Sequence, residues 1–176
     1  MLGWAVLGLF SVVAIRRIEK VRKRPEQVVP GGTLISRYMV QRTPTHFHRG
    51  VDIGAPRGTP VRALNSGWIA DVYPDCERSG YGNAILLQHI DGTYSFYAHL
   101  AGFAVAPGDY VRQGQTIGAV GDTECGSGSS KKMWPHLHLE VHQQMVVTER
   151  GRPIIVEDTP PRLDPLWYMR QVGMGP

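Results

Sequence analysis

Turn-forming residues divide the body of this chain into short apolar segments, which limits the folds that it can adopt. The 176 residues include 21 glycines and 13 prolines, spread along the sequence rather than clustered. Between them lie segments that alternate or run apolar, as strands do. These segments are 59–64, 67–73, 83–89, 93–100 and 137–143. The pattern predicts an all-β fold, a compact antiparallel β sandwich or barrel.

Two further stretches support the β prediction, and one stretch departs from it. The segment 90-IDGT-93 contains an Asp-Gly pair between two strand segments, which is a strong hairpin signal. In 103–123, the turns PGD and QG again separate short β runs. Near the end of the chain, 164-DPLWYMR-170 is a candidate helix.

The N-terminal segment 1-MLGWAVLGLFSVVAI-15 is apolar and precedes the basic run 16-RRIEKVRKR-24. Its length fits a short anchor or the core of a signal peptide. Because a positive N-terminal region and a clear cleavage site are missing, we expect an uncleaved apolar helix that anchors the chain to a membrane. We expect residues 16–32 to be a basic run and linker, 33–170 one domain and 171–176 a tail.

Charge and cysteine content leave several alternatives open. The formal net charge of +4 suggests an anionic neighbour such as nucleic acid, lipid or an anionic polymer. Much of this excess lies in the N-terminal basic run, so it says little about the domain, for which we expect no nucleic-acid partner. Cys76 and Cys125 lie in Gly/Ser-rich loops. They could form one disulfide in an oxidising compartment or remain two thiols.

The segment 134-WPHLHLEV-141 places two histidines in an apolar strand. Residues i and i+2 of a strand project from the same face, so His136 and His138 stand side by side, about 7 Å apart at the backbone. Leu137 and Leu139 would then face the core. Two imidazoles held this way suit a metal site or an acid–base pair, although two partly exposed histidines would also fit.

A second element, 46-HFHRGVDIGAP-56, separates His48 and Asp52 by four residues. On an extended backbone this even interval puts both side chains on one face, with Gly50 between them leaving room for an ion. Imidazole and carboxylate groups are both ordinary zinc ligands. Combined with His-x-His, they would supply three ligands and leave a fourth position for water, the pattern of a catalytic zinc ion.

A third element, 97-YAHL-100, ends an apolar strand with His99. A zinc-activated water needs a partner that takes its proton and steadies the oxyanion that follows. The chain has no His-Glu-x-x-His motif that could supply a glutamate for this role. His99 and the non-ligand member of the His136/His138 pair remain as candidates.

These motifs together resemble the lysostaphin/LytM-type zinc metallopeptidases. The segments HRGVD, IGAPRGTPV, GYGNAILLQH, DGTYSFYAHL, VAPGDYVRQGQTIG and PHLHLEV occur in the order and spacing of that family, over about residues 33 to 168. The resemblance implies one zinc ion per chain held by His48, Asp52 and His138. It also implies that His99 and His136 act on the water and the tetrahedral intermediate, and that the substrate is a peptide cross-link or bridge of peptidoglycan.

The loop before the last histidine pair departs from the family pattern. It reads 126-GSGSSKKMWPHLH-138 and is longer than usual, with Lys131, Lys132 and Trp134. These residues could contact substrate or form a solvated loop. Glu140 could orient a neighbouring group or point outward. We expect His46, His89 and His142 to be structural or surface residues.

Two alternatives to an active enzyme follow from the same motifs. The first is an inactive module of the same fold that binds peptidoglycan or regulates another hydrolase, with a protein activator also possible for an active enzyme. The second is a biotinyl or lipoyl carrier, which 105–120 resembles, but this stretch lacks the lysine that attachment needs. Peptidoglycan as substrate places the domain in the cell envelope on the periplasmic or wall side, although the basic run 16–24 favours the opposite orientation.

Overall fold

The computed structural model describes residues 26–74, 80–123, 134–144, 146–147, 153–154 and 162–176. The predicted apolar helix at 1–15, Cys76, Cys125 and the lysine pair 131–132 lie outside these residues. Within the described ranges, no helix is both long enough and apolar enough to cross a membrane.

The described residues form seventeen short strands and one helix. The strands are β1 (Glu26–Gln27), β2 (Thr33–Ser36), β3 (Gln41–Thr43), β4 (His46–Phe47), β5 (Val51–Gly54), β6 (Pro60–Arg62), β7 (Gly67–Tyr73), β8 (Ala84–His89), β9 (Tyr94–Ala98), β10 (Leu100–Phe103), β11 (Tyr110–Val111), β12 (Thr116–Val120), β13 (His136–His142), β14 (Val146–Val147), β15 (Pro153–Ile154), β16 (Arg162–Leu163) and β17 (Met174–Gly175). Helix α1 covers Pro165–Val172.

The largest sheet is antiparallel and has the order β11-β7-β8-β9-β13-β5-β2, with β16 also paired to β13. The Asp-Gly hairpin predicted between β8 and β9 is confirmed. The His89 amide donates to the Thr93 carbonyl at 2.8 Å, and Gly92 adopts a φ of 85° that favours glycine. Strand β13 lies between β9 and β5, and all three are interior strands of the sheet.

A smaller sheet of order β10-β12-β6 packs on one face of the large sheet. Val61 and Ile117 from the small sheet share a fully buried core cluster with Ile85 and Leu137 from the large sheet. Each such side chain contributes about 1.5–3 kcal/mol when buried. The predominantly β class is therefore confirmed, with a sandwich-like core. The sheets stay open, however, so the barrel alternative is wrong.

Helix α1 has clear end signals and closes one end of the core. The Asp164 carboxylate accepts from the Leu166 amide at 2.8 Å, and Gly173 ends the helix in the left-handed conformation. Tyr168 on its inner face is buried. The candidate helix is thus confirmed. Beyond it, β17 pairs in parallel with β1, which joins the two ends of the described chain.

Alternation along β13 separates a core face from a polar face. Leu137, Leu139 and Val141 belong to the main core cluster. The alternate residues, from His136 to His142, project from the other face and are also buried. A strand buried on both faces can therefore carry a row of polar side chains, provided that each finds a partner.

Candidate metal centre

Strand pairing brings the predicted site residues together from three neighbouring strands. His138 lies opposite Asp52 on β5 and opposite Ala98 on β9. His99 directly follows Ala98, and His136 lies two residues before His138 on the same face. Asp52, His99, His136 and His138 are each at most 9% exposed as whole residues. All the predicted site residues on these strands therefore meet at one end of the central strands.

His48, Asp52 and His138 present three possible ligand atoms to a common point. His48 Nε2 lies 3.0 Å from Asp52 Oδ1 and 3.1 Å from His138 Nδ1, and the latter two atoms are 2.9 Å apart. Ligands of a tetrahedral zinc ion lie roughly 3.3 Å apart when each bond is about 2.0–2.1 Å. Small outward shifts would therefore accommodate the ion.

Hydrogen bonds on the outer side fix which nitrogen of His48 faces the centre. His48 Nδ1 lies 2.7 Å from the Arg37 carbonyl oxygen and 3.2 Å from Ser36 Oγ. A carbonyl oxygen can only accept, so Nδ1 carries the proton and donates it. His48 Nε2 is left with a lone pair directed at Asp52 and His138.

His138 uses the opposite nitrogen. Its Nε2 lies 3.0 Å from Glu140 Oε1, so Nε2–H donates to this fully buried carboxylate. His138 Nδ1 then faces Asp52 and His48 with a lone pair. Two imidazole lone pairs and one carboxylate oxygen converge without a donor among them, an arrangement that requires a proton or a metal cation.

The pKa values of the ligand groups reflect this excess of acceptors. Burial alone would lower the pKa of His138, but hydrogen bonds to Asp52 and Glu140 raise it to about 9. Burial would likewise raise the pKa of Asp52, whereas hydrogen bonds with His138 and His48 bring it well below its usual range. The cluster strongly favours a positive charge at its centre, and a divalent cation would satisfy all three groups at once.

His99 lies at a kink between β9 and β10. Its φ of 62° is unusual for a residue with a side chain and is typical of functional sites. The backbone is fixed by donation from the His99 amide to the Tyr81 carbonyl at 2.9 Å. The ring Nδ1–H donates to the Thr123 carbonyl at 2.9 Å, which leaves Nε2 as a base. Burial and the neighbouring His138 lower the pKa of His99 to about 4.

His136 is held in the same way from the other side. Its Nδ1–H donates to the Trp134 carbonyl at 2.7 Å, and its Nε2 lies 3.9 Å from Asp52 Oδ1. The ring centroids of His136 and His99 are 4.8 Å apart. The two imidazoles therefore stand beside the three ligand atoms with a free lone pair each, as two bases next to one possible metal position.

The second oxygen of Asp52 points away from the cluster toward Arg42. Arg42 Nη2 donates to Asp52 Oδ2 and to Ser36 Oγ, both at 2.8 Å. Because Oδ2 is engaged, Asp52 offers Oδ1 alone to a metal ion. Arg42 was not among the predicted site residues, since it lies in β3 within no recognisable motif.

The segment between His48 and Asp52 differs from the prediction. Residues 48–50 are not in a strand, so the two side chains meet across a turn rather than along an extended backbone. Gly50 is needed for a reason other than space for an ion. A Cβ there would overlap the Leu139 carbonyl and lie 3.0 Å from His138 Cε1, so glycine allows this turn to approach β13.

Glu140 and its hydrogen-bond partners fix the position of His138. The Glu140 carboxylate accepts from Tyr81 Oη at 2.9 Å, His142 Nε2 at 2.8 Å and Arg162 Nε at 3.3 Å, in addition to His138. Of the two alternatives for Glu140, the orienting role fits this inward position. Tyr81 was missed in the sequence, although it stands in the GYGN segment. His142 contacts Glu140 rather than the three ligand atoms.

This site and its β scaffold define a class: three convergent ligand groups and two adjacent imidazoles, as in metal-dependent hydrolases that activate water. The chain matches the sequence model of peptidase family M23 over residues 46–152. It belongs to this family, and the resemblance seen in the sequence is thereby confirmed.

Individual relatives agree with the family assignment. The DD-carboxypeptidase/endopeptidase Mpg of Neisseria meningitidis serogroup B is 44% identical over 94 residues, which are 53% of this chain and 20% of Mpg. The structure of the lysostaphin catalytic domain from Staphylococcus simulans is 30% identical with a TM-score of 0.60, covering 80% of this chain and 94% of that domain. A zinc-containing peptidase from Vibrio cholerae is 26% identical with a TM-score of 0.55, covering 77% and 40% of the two chains.

These matches differ in how much of each relative they include. The chain spans about a fifth of the length of Mpg but nearly all of the lysostaphin catalytic domain. The family match over residues 46–152 contains all five predicted site residues.

Proposed function

We propose that this protein is a zinc-dependent endopeptidase that hydrolyses peptide cross-links or bridges of bacterial peptidoglycan. The observation that carries the proposal is the convergence of two imidazole lone pairs and one carboxylate oxygen within 3.1 Å of one another. Membership of a peptidase family and the name of Mpg supply the reaction class. The peptidoglycan DD-endopeptidase ShyC of Vibrio cholerae, 37% identical over 97 residues, supports the substrate.

In this proposal, His48, Asp52 and His138 hold one zinc ion. A bound zinc ion would polarise the scissile carbonyl and make hydroxide available near neutral pH. Nitrogen and oxygen donors are those that zinc prefers, and the zinc content of the Vibrio cholerae relative supports the choice of metal. Three protein ligands leave room for water and substrate.

His99 and His136 are proposed to handle the proton and the developing negative charge. Both donate Nδ1–H to backbone carbonyls, so Nε2 of each ring is the nitrogen turned toward the metal position. A neutral imidazole can accept a proton from water and, once protonated, donate a hydrogen bond to an oxyanion. We therefore propose both rings for these two tasks. The position of the bound substrate decides which ring takes the proton and which stabilises the oxyanion.

The test measures zinc and cleavage separately in the full chain. We expect wild-type protein to retain about one zinc ion per chain and to release muropeptides from isolated sacculi. His48→Ala and His138→Ala should lose both zinc and cleavage. His99→Ala and His136→Ala should keep zinc but lose cleavage by at least about 100-fold, the usual contribution of a general acid–base group.

The outcomes separate this proposal from its alternative. Wild-type protein that binds zinc and peptidoglycan without cleaving it would instead be an inactive binding or regulatory module. Wild-type protein without zinc or cleavage would refute the assignment altogether. Peptide fragments identified by mass spectrometry would show which bond is cut.

The substrate implies a location in the cell envelope, on the periplasmic or wall side of the membrane. Residues 1–15 are proposed as the membrane anchor, with 16–32 as the linker, 33–170 as the peptidase domain and 171–176 as the tail. Added protease should degrade the domain in spheroplasts, whereas protection of the domain would contradict this orientation. A protein activator would appear as a factor that raises cleavage by the purified full chain.

A further inference from the structure

The hairpin formed by β3 and β4 places Arg42 at the rim of the metal centre. The hairpin is fixed to the site, because the His48 amide donates to the Val40 carbonyl and the Met39 amide donates to the His48 carbonyl, both at 2.8 Å. The Arg42 side chain is 43% exposed, whereas that of Asp52, its partner, is only 10% exposed. Arg42 therefore contacts the site and remains partly exposed to solvent.

Its hydrogen bonds use only part of the guanidinium group. Nη2 donates to Asp52 Oδ2 and Ser36 Oγ, and within the described part of the chain these are the bonds that the group makes. Nε–H and the Nη1 hydrogens remain. Each of these remaining N–H groups can donate a charge-assisted hydrogen bond to a carboxylate.

The charges around the site leave a positive excess at this rim. The pair of Glu140 and Arg162 is neutral overall. A divalent cation, Asp52 and Arg42 together carry a net charge of +2. Arg42 contacts the ligand residue Asp52, so its charge repels a cation at the metal centre. An anion bound at the rim would offset that repulsion.

We propose that Arg42 is a substrate-binding residue that pairs with a free carboxylate of the peptide next to the bond that is cleaved. This inference rests on the proposed function, because it assumes that a peptide occupies the metal centre. Asp52 Oδ2 and Ser36 Oγ hold Nη2, and Nε–H and the Nη1 hydrogens are left to contact the substrate. Arg42 thus selects peptides that carry a negative charge close to the scissile bond.

The experiment compares two peptides and three variants. One probe is a cross-linked peptide dimer with a free α-carboxylate beside the cross-link, and the other is the same dimer with that group converted to a carboxamide. We expect wild-type protein to prefer the acid by about 10–100-fold in kcat/KM, which is the usual range for a hydrogen bond to a charged group. Arg42→Gln should bring this ratio close to one, and Arg42→Lys should retain part of it.

The ratio separates recognition from indirect damage to the site. Any loss that Arg42→Gln causes through Asp52 affects both dimers and cancels in the ratio. Arg112→Gln serves as the matched control, since Arg112 is exposed and lies outside the site, and it should keep the wild-type ratio. An unchanged ratio in Arg42→Gln, or a wild-type ratio near one, would overturn the inference.

Calorimetric binding of the same two dimers to zinc-loaded protein makes the two proposals independently testable. An Arg42-dependent preference for the acid without any cleavage would refute the proposed function and support this inference. Cleavage of both dimers with equal affinity and rate would support the function and refute the inference. Bound zinc, measured in every variant, checks that the metal centre itself is retained.

Discussion

Replacing Glu140 with glutamine would test whether a buried carboxylate holds the metal-binding histidine in its required form. Glu140 is fully buried and accepts four hydrogen bonds, two on each oxygen. Glutamine has nearly the same shape but only one acceptor atom. Its amide group must therefore face two donors whichever way the side chain turns.

Each orientation of the new amide has a definite consequence. If the amide faces His138, that ring must move its proton to Nδ1, which is the nitrogen directed at Asp52. If the amide faces His142 instead, that ring must carry its proton on Nδ1, which is buried without a partner among the described residues. Arg162 Nε also loses its acceptor in this second orientation.

The expected loss can be estimated from these contacts. A buried N–H left without a partner costs about 1–3 kcal/mol, and the lost bond between Arg162 and a charged group about 1.5–3 kcal/mol. We therefore expect Glu140→Gln to lower the free energy of unfolding by about 3–5 kcal/mol, as when one member of a buried ion pair is removed. Zinc affinity should fall by about 10–100-fold, as for other groups that orient a metal ligand.

Urea unfolding and competition with a chelating dye would measure the two effects. Glu26→Gln is the matched control, because Glu26 is exposed and pairs with Arg62 at the surface. That change should cost less than about 1 kcal/mol and leave zinc binding intact. A Glu140→Gln protein with wild-type stability and zinc affinity would refute the argument that this carboxylate fixes the His138 tautomer.

Two further predictions concern packing and acid sensitivity. Gly50→Ala should cost about 1–3 kcal/mol and weaken zinc binding, because its Cβ would overlap the Leu139 carbonyl. Gly102→Ala, where a Cβ meets nothing within 4 Å, is the control, and equal effects of the two changes on the urea midpoint would contradict this explanation. Burial lowers the pKa of His89 from 6.5 to about 4, so the unfolded chain binds more protons between these values and stability falls as the pH drops through this window. The loss amounts to about 3 kcal/mol by pH 4, and urea unfolding of His89→Gln should show a correspondingly smaller pH dependence; parallel wild-type and variant curves would contradict it.

Local signals in the sequence were sufficient for most of the fold. The strand segments, the Asp-Gly hairpin and the helix after Asp164 follow from side-chain period and turn chemistry, which act over a few residues. The parallel pairing of β1 with β17 joins residues almost 150 positions apart and leaves no local pattern. The open sheets also depend on strand register across the whole domain.

The site was predictable where its residues fall in motifs with a fixed geometry. His136 and His138 share a face because a strand has a period of two, and the structure brings Asp52 and His99 to that face. Arg42 could not be found this way, because a hairpin carries it to Asp52 without any motif of its own. The sequence left open whether Glu140 orients a neighbouring group or points outward, because its burial depends on neighbouring strands.

The period of two also accounts for the different chemistry of the paired histidines. His136 donates Nδ1–H backward to the Trp134 carbonyl, two residues before it, and keeps Nε2 free. His138 donates Nε2–H forward to Glu140, two residues after it, and keeps Nδ1 free. A carboxylate makes its imidazole partner a stronger electron donor than a neutral carbonyl does, which suits a metal ligand. In the proposed function, the sequence His-x-His-x-Glu thus makes the second histidine the metal ligand and leaves the first as the base beside it.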